Sequence, residues 1–363
     1  MIPAANIDLV AGGPIFFEPN RVSRTYTGGR LLARMGGRVE DDGGRPEEWI
    51  ASTVQARVGD PSVLAEGFSI VEGTGVIFET LVRLRRAEML GPREDFGVLV
   101  KLIDSSIRLP AQVHPDKAFA REHFGSPHGK TEMWIVLAVR PGADLFIGFR
   151  EGVTRESVRA AMHASETNRS ALISLLNQTP AEPGDAWLIP GRLAHAIGAG
   201  CLILEVQEPT DLTFRPEAWI GERRLSTFER YAGLGPEAAL DCFDFDGLSG
   251  APALARCLQK ASVFQAGTNG CHAERIIDRT VFADFGANRY HVDPGSQLEL
   301  TEKPSVLVVT RGSGTINWRH GSRPVAMGDY FFLPFAAESL SVTAFSDFEL
   351  IECLPPLPVH EDG

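Results

Sequence analysis

The sequence has no long apolar run: its longest, Met133 to Val139 (MWIVLAV), is far too short to cross a bilayer. The N-terminus, MIPAANIDLVAGG, has no basic start ahead of its apolar residues, so no secretory leader is expected and a cytoplasmic location is predicted. Lysines and arginines nowhere cluster densely enough to track a phosphate backbone, and the net charge is −12, which argues against a nucleic acid partner. Arg83-Leu84-Arg85-Arg86 and Glu222-Arg223-Arg224 are short and read as solvated faces. The five cysteines (Cys201, Cys242, Cys257, Cys271, Cys353) include no CxxC pair. Neither a disulfide framework nor a thiolate metal site follows, and small apolar fillers are expected at these positions.

What is present is enough for a packed globular chain: 363 residues, 44% of them hydrophobic, suffice for one large or two ordinary domains. No feature sets an oligomeric state. Helical patterning is concentrated at Thr154 to Asn177, as one helix or two short ones, with Thr154 as a cap and Val158, Met162, Leu172, Leu175 and Leu176 as its apolar positions. Elsewhere short strands broken by Gly, Pro and Asp predominate, at 98–104, 145–149, 202–207, 306–310 and 340–344, and predict an all-β sandwich or jelly roll. A weak internal repeat points to two such units, because GDAWLIP (184–190) recurs as GDYFFLP (328–334). In that alignment Ser339 takes the place of His195, and the second unit is expected to be metal-free. Gly247 to Gly270, rich in Ala, Gly and Ser, is the expected linker, with a helix possible over Ala253 to Lys260.

The residues that carry chemistry are few and scattered. Gln112 and His114 alternate in what reads as a strand, so both side chains leave one face. Glu132 opens the apolar strand ending at Val139, with Lys130 on its own face. His195 follows the Gly-Asp turn, short strand and proline of GDAWLIP. Two imidazoles, one carboxylate and one amide suit a single divalent metal, zinc first, with manganese, iron or cobalt acceptable. The competing account is that these are two ordinary core or surface histidines. His123 and His128 are expected in the loop between the ligand strands, His163 in a helix and His320 at a turn. Against the acidic background, Lys130 and Arg215 are the cations an anionic substrate would need.

The phrases TGGRLLARM (27–35), Glu48-Trp49-Ile50-Ala51-Ser52, VLVKLIDSSIRLPAQVHPD (98–116), GKTE (129–132) and LIPGRLAHAIGAGCLILEVQEPTDLTFR (188–215) resemble the type I mannose-6-phosphate isomerases in their short bacterial form. The resemblance implies a mainly β fold of two cupin-type jelly-roll barrels with a few short helices. Its units would be a metal-binding catalytic one at 1–245, with a helical insertion, and a linker plus degenerate metal-free unit at 246–363. It also implies a metal held by Gln112, His114, Glu132 and His195, with Lys130, Glu205, Asp211 and Arg215 at the site and a sugar phosphate as substrate. Glu205 is the expected general base and Lys130 its rival, while Lys130, Asp211 and Arg215 would bind substrate. Chemically this is an aldose-ketose isomerisation through a cis-enediol. A cupin metal oxygenase and a non-catalytic sugar-binding regulator are the alternatives. Two departures stand out: Pro110 replaces a serine that commonly precedes the ligand pair and helps hold phosphate, and Thr27 stands at the tryptophan of a usual Trp-Gly-Gly.

Overall fold

The computed structural model describes residues 12–56 and 66–358, so most of the N-terminal stretch weighed above as a leader lies outside the described residues. Among them, no helix is long and apolar enough to cross a membrane. The protein is mainly β with short helices. A seven-stranded sheet shares one core with a three-stranded sheet, and a six-stranded sheet shares another with a four-stranded one.

Strand periodicity explains how these layers hold together. In the strand Cys201–Gln207, Leu202, Leu204 and Val206 enter one apolar core while Cys201 and Ile203 enter another on the opposite face. The first of these cores lies between the two large sheets, joining Val100, Leu102 and Leu204 to Val306, Val308 and Ile351. The N-terminal segment adds to this seam, since Ile15 pairs with Phe332 across a single antiparallel bridge. Glu205 lies on the Cys201–Ile203 face, so a strand buried on both sides carries a carboxylate into the first unit.

The repeat is structural. The neighbouring strands Cys201–Gln207, Glu132–Val139 and Ala186–Ile189 recur as Phe348–Leu354, Ser305–Arg311 and Tyr330–Leu333 in the same order. The glycines opening GDAWLIP and GDYFFLP, Gly184 and Gly328, both sit at φ +98°, a conformation that side chains with a Cβ rarely adopt. Register then matches residues across the units. Glu205 lies opposite Lys101 and Trp134, and Glu352 opposite Asn288 and Leu307. Glu132 lies opposite Ile189, and Ser305 opposite Leu333.

Glu352 is fully buried, accepting from the Tyr290 hydroxyl at 2.8 Å and Asn288 Nδ2 at 3.1 Å, while its Oε1 has no partner. Burial raises its carboxyl to about 7, against the pull of those two donors. Because the folded state holds this proton more tightly than the unfolded chain, stability falls as pH rises from about 4.5 to about 7. Glu352→Gln is expected to remove roughly 3 kcal/mol of that fall, at about 1.4 kcal/mol per pH unit. Melting curves from pH 5 to 8 check it: wild type and variant running parallel would show that the group does not titrate there.

Several local expectations are corrected. Gln112-Val113-His114 forms no regular strand: Gln112 pairs with His195 and Val113 with Phe214 as single bridges. Pro110 and Pro115 bracket the segment and supply no N–H for a longer ladder. Over 154–177 two short helical pieces form, the α-helix Arg155–Ala164 capped by Thr154 and a single 3-10 turn at Ile173–Leu175, and a strand already begins at Leu176. His123 lies in the helix Lys117–Phe124 rather than in a loop, because Asp116 caps its start and Gly125 ends it in the left-handed conformation. The expected linker contains the helix Gly250–Cys257 and a strand, Leu258–Gln259, that completes the first sheet. His163 is helical and His320 lies at a turn, as expected. All five cysteines are free and buried, in keeping with a filler role.

Candidate functional site

The site is assembled by register. Across the large sheet, Trp49, Lys101, Glu205, Trp134 and Trp187 line up as direct neighbours on successive strands. Glu132 is two residues before Trp134 and so shares its face. His195 reaches the same place from the three-stranded sheet, where it opens the strand His195–Ile197, and its backbone pairs with Gln112.

Three ligating groups converge there. One donor atom each from His114, Glu132 and His195 lies within 4.8 Å of the others, and all three residues are buried. His114 Nε2 is 3.0 Å from Glu132 Oε1, and His195 Nε2 is 3.8 Å from Glu132 Oε2. The two rings are 4.7 Å apart between centroids. Each imidazole places Nδ1 on a backbone carbonyl, His114 on Leu212 O at 3.0 Å and His195 on Leu193 O at 2.8 Å. That contact requires Nδ1–H in the neutral ring and leaves Nε2 as a bare lone pair. Burial pushes His114 down to about 3, with Lys130 adding to the effect, and lowers His195 as well, so both rings are neutral. Two lone pairs therefore face a carboxylate. His195 Nε2 and Glu132 Oε1 are buried without hydrogen bonds, the pattern expected around a cation.

The Lys130 ammonium answers part of that demand, lying 2.9 Å from Glu132 Oε1 and 3.2 Å from His114 Nε2. Although burial pushes the Glu132 carboxyl up, the Lys130 ammonium holds it well below the usual carboxylate range. Gln112 is buried and lines the adjoining cavity, so its amide is available as a further donor.

The cavity beside these ligands is lined by four cations and five carboxylates. Arg24 sits 3.1 Å from Asp211 and 2.9 Å from Glu47, which also accepts from Tyr26 and Trp49. Burial pushes Asp211 up, but Arg24 and Lys101 override it and keep the group ionised. Lys101 donates to Gln207 Oε1 at 2.6 Å and lies over the Trp49 ring, 3.1 Å from Glu205 Oε2. No well-directed donor reaches that oxygen, whereas Glu205 Oε1 accepts from Trp134 Nε1 at 3.1 Å. Burial and the nearby Glu132 charge raise Glu205 to about 7, against Lys101. Arg215 lines the cavity with one long contact, 3.5 Å to Glu229 O.

The structure thus brings Gln112, His114, Glu132, His195, Lys130, Glu205, Asp211 and Arg215 together. Pro110 borders the cavity, but Thr27 bonds Ser106 at the surface and does not line it. Lys101, Arg24, Glu47, Tyr26 and Trp134 were not anticipated. A lone lysine inside the apolar run VLVKLID was the available signal for Lys101. Arg24 and Glu47 meet Asp211 only through the tertiary fold, and nothing local marks them.

No family model matches the chain. The mannose-6-phosphate isomerase of Streptococcus mutans is 31% identical over 204 residues, 56% of this chain and 60% of its own length. Mannose-6-phosphate isomerase ManA of Bacillus subtilis is 24% identical over 344 residues, 92% of this chain and 97% of its own. Over these lengths the chain is similar to mannose-6-phosphate isomerases. The match to the Streptococcus mutans isomerase spans less than two thirds of that protein. Among solved structures, the mannose 6-phosphate isomerase from Bacillus subtilis superposes with a TM-score of 0.74 at 22% identity, covering 94% of this chain and 99% of that one. That likeness concerns the fold, and it agrees with the mainly β architecture described above.

Proposed function

We propose that this chain is a metal-dependent aldose-ketose isomerase that interconverts mannose 6-phosphate and fructose 6-phosphate through a cis-enediol, in the cytoplasm. The observation that carries it is the convergence of two imidazole lone pairs on the Glu132 carboxylate, which itself lines a cavity that also holds Arg24, Lys101, Lys130 and Arg215. His114, Glu132, His195 and Gln112 would hold one divalent metal per chain, zinc by ligand type. When bound, such an ion supplies Lewis-acid polarisation of the sugar carbonyl.

The chain's own residues do the rest. Glu205 removes the proton from C2 of the aldose and returns it to C1. Lys130 stabilises negative charge on the reacting oxygens, and Arg215 stabilises it there or on the phosphate. Asp211 holds Arg24 against Glu47 and thereby shapes the substrate pocket. The proposal includes a catalytic unit at 1–245 and a second, metal-free jelly roll from 246, with Ser305 and Ser339 at the places of Glu132 and His195. Leu258–Gln259 still pairs in the first unit's sheet and the second unit's sheet opens at Ser262, which supports a linker over the first part of 246–363.

Metal-loaded protein incubated with a panel of hexose 6-phosphates in deuterated water should exchange the C1 and C2 hydrogens of its substrate, read by NMR. No exchange with any of them would overturn the isomerase assignment. Pro110 offers no hydroxyl to the cavity it borders. A missing donor to a phosphate oxygen is worth about 1.5–3 kcal/mol. Pro110→Ser is therefore expected to lower the KM for mannose 6-phosphate with little change in kcat, metal content being measured alongside. An unchanged KM in a metal-replete variant would show that phosphate is held elsewhere.

A further inference from the structure

Exposed large apolar side chains are scattered over the described surface, and of these Phe228 alone also lines the cavity. Its ring is 58% exposed. It stands on the short helix Thr227–Tyr231, whose first turn is fixed by a capping box between Ser226 and Glu229. The opposite side of that helix is anchored in the protein. Tyr231 is buried in the helical core, and Arg230 bonds Glu166 and the Pro216 carbonyl, both at 2.7 Å. Arg215 is fastened to the same helix through its backbone N–H on Arg230 O at 2.8 Å and its guanidinium on Glu229 O. The ring itself lies beside Gly233, where an added Cβ would be 3.6 Å from Phe228 Cε2. A wet aromatic ring is thus held in place at the mouth of a polar cavity, on the element that also positions Arg215.

We infer that Phe228 is a substrate-binding residue that packs against the C–H face of the bound sugar. The inference rests on the isomerase assignment for its substrate class. Everything else polar in the cavity addresses charge or hydroxyl groups, and a hexose phosphate also presents apolar carbon faces that must leave water on binding. An aromatic ring already fixed at the mouth covers such a face at little conformational cost. Phe228 touches no reacting atom on this account. It acts in binding the ground state and the transition state alike, so its loss shows in KM far more than in kcat.

The test uses the full metal-loaded chain with Phe228→Ala and Phe228→Tyr, melting temperatures serving as the folding control. Mannose 6-phosphate binding is titrated by calorimetry, and turnover is measured separately. The alanine variant is expected to bind about tenfold more weakly, with KM raised by a similar factor, and tyrosine to restore both. Weaker binding by the alanine variant of a wild type that binds but does not turn over would refute the isomerase and keep the inference. Wild-type turnover with an alanine variant within twofold in both binding and KM would overturn the inference and keep the isomerase. No wild-type binding at all overturns both.

Discussion

His114→Ala and His195→Ala are each expected to yield a folded chain that no longer retains a divalent metal and has lost more than about a thousandfold in turnover. The reason lies in the tautomers. Both rings spend Nδ1–H on backbone carbonyls, so the only free function of each is an Nε2 lone pair aimed at Glu132. Without a cation, lone pair faces lone pair, and the Lys130 ammonium relieves only His114 and one Glu132 oxygen. Removing one ring destroys the binding site at the cost of one hydrogen bond to a backbone carbonyl and a small cavity, a loss that the folding check monitors. Metal content per chain, measured by elemental mass spectrometry with circular dichroism as the folding check, decides the matter. Wild type should hold about one equivalent and each variant almost none. Ser339→Ala, at the corresponding place in the second unit, should leave the content unchanged. Unchanged metal in both histidine variants would remove the assignment.

The cluster of His114, Glu132 and His195 was legible in the sequence because its members sit at positions that local chemistry marks. Glu132 is a charge at the mouth of an apolar strand, and His195 follows a Gly-Asp turn and a proline that end a strand. The repeat was legible for the same reason: a glycine at φ +98° opens both copies, so both had to keep Gly-Asp. The Gln112–His114 strand failed although its residues reached the site. Alternation places side chains whether or not a ladder forms, and prolines on both sides allow only isolated bridges. Within the expected linker the helix allowed for at Ala253 to Lys260 forms slightly earlier, at Gly250–Cys257, where it packs Ala253 and Cys257 inward. Least legible were Arg24 and Glu47. Arg24 is paired with Asp211, far along the chain, and with Glu47 at the start of a strand, and a charged side chain in either place reads as solvated until its partner is located.

Glu205→Gln is expected to lower kcat for sugar-phosphate isomerisation by about a thousandfold, within the range for loss of a general base, while metal content stays unchanged. Lys130→Met should also reduce turnover but for a different reason, and the structure separates the two. The Lys130 ammonium is committed as a donor, to Glu132 Oε1 at 2.9 Å and beside His114 Nε2 and Thr213. A group occupied in that way suits charge stabilisation and is poorly placed to accept a proton. Glu205 Oε2 is the reverse: buried at the cavity, 3.1 Å from Lys101 yet without a directed hydrogen bond, it has a free lone pair. Burial and the Glu132 charge raise this carboxyl to about 7, so it exchanges a proton readily near neutral pH. Hydrogen exchange distinguishes the roles. Following loss of the C2 hydrogen of mannose 6-phosphate into deuterated water, the glutamine variant should exchange as slowly as it isomerises, because the same proton transfer limits both. If Glu205→Gln still exchanged that hydrogen at the wild-type rate and Lys130→Met did not, the base would be Lys130, and Glu205 would serve only to hold Lys101 in the row from Trp49 to Trp187.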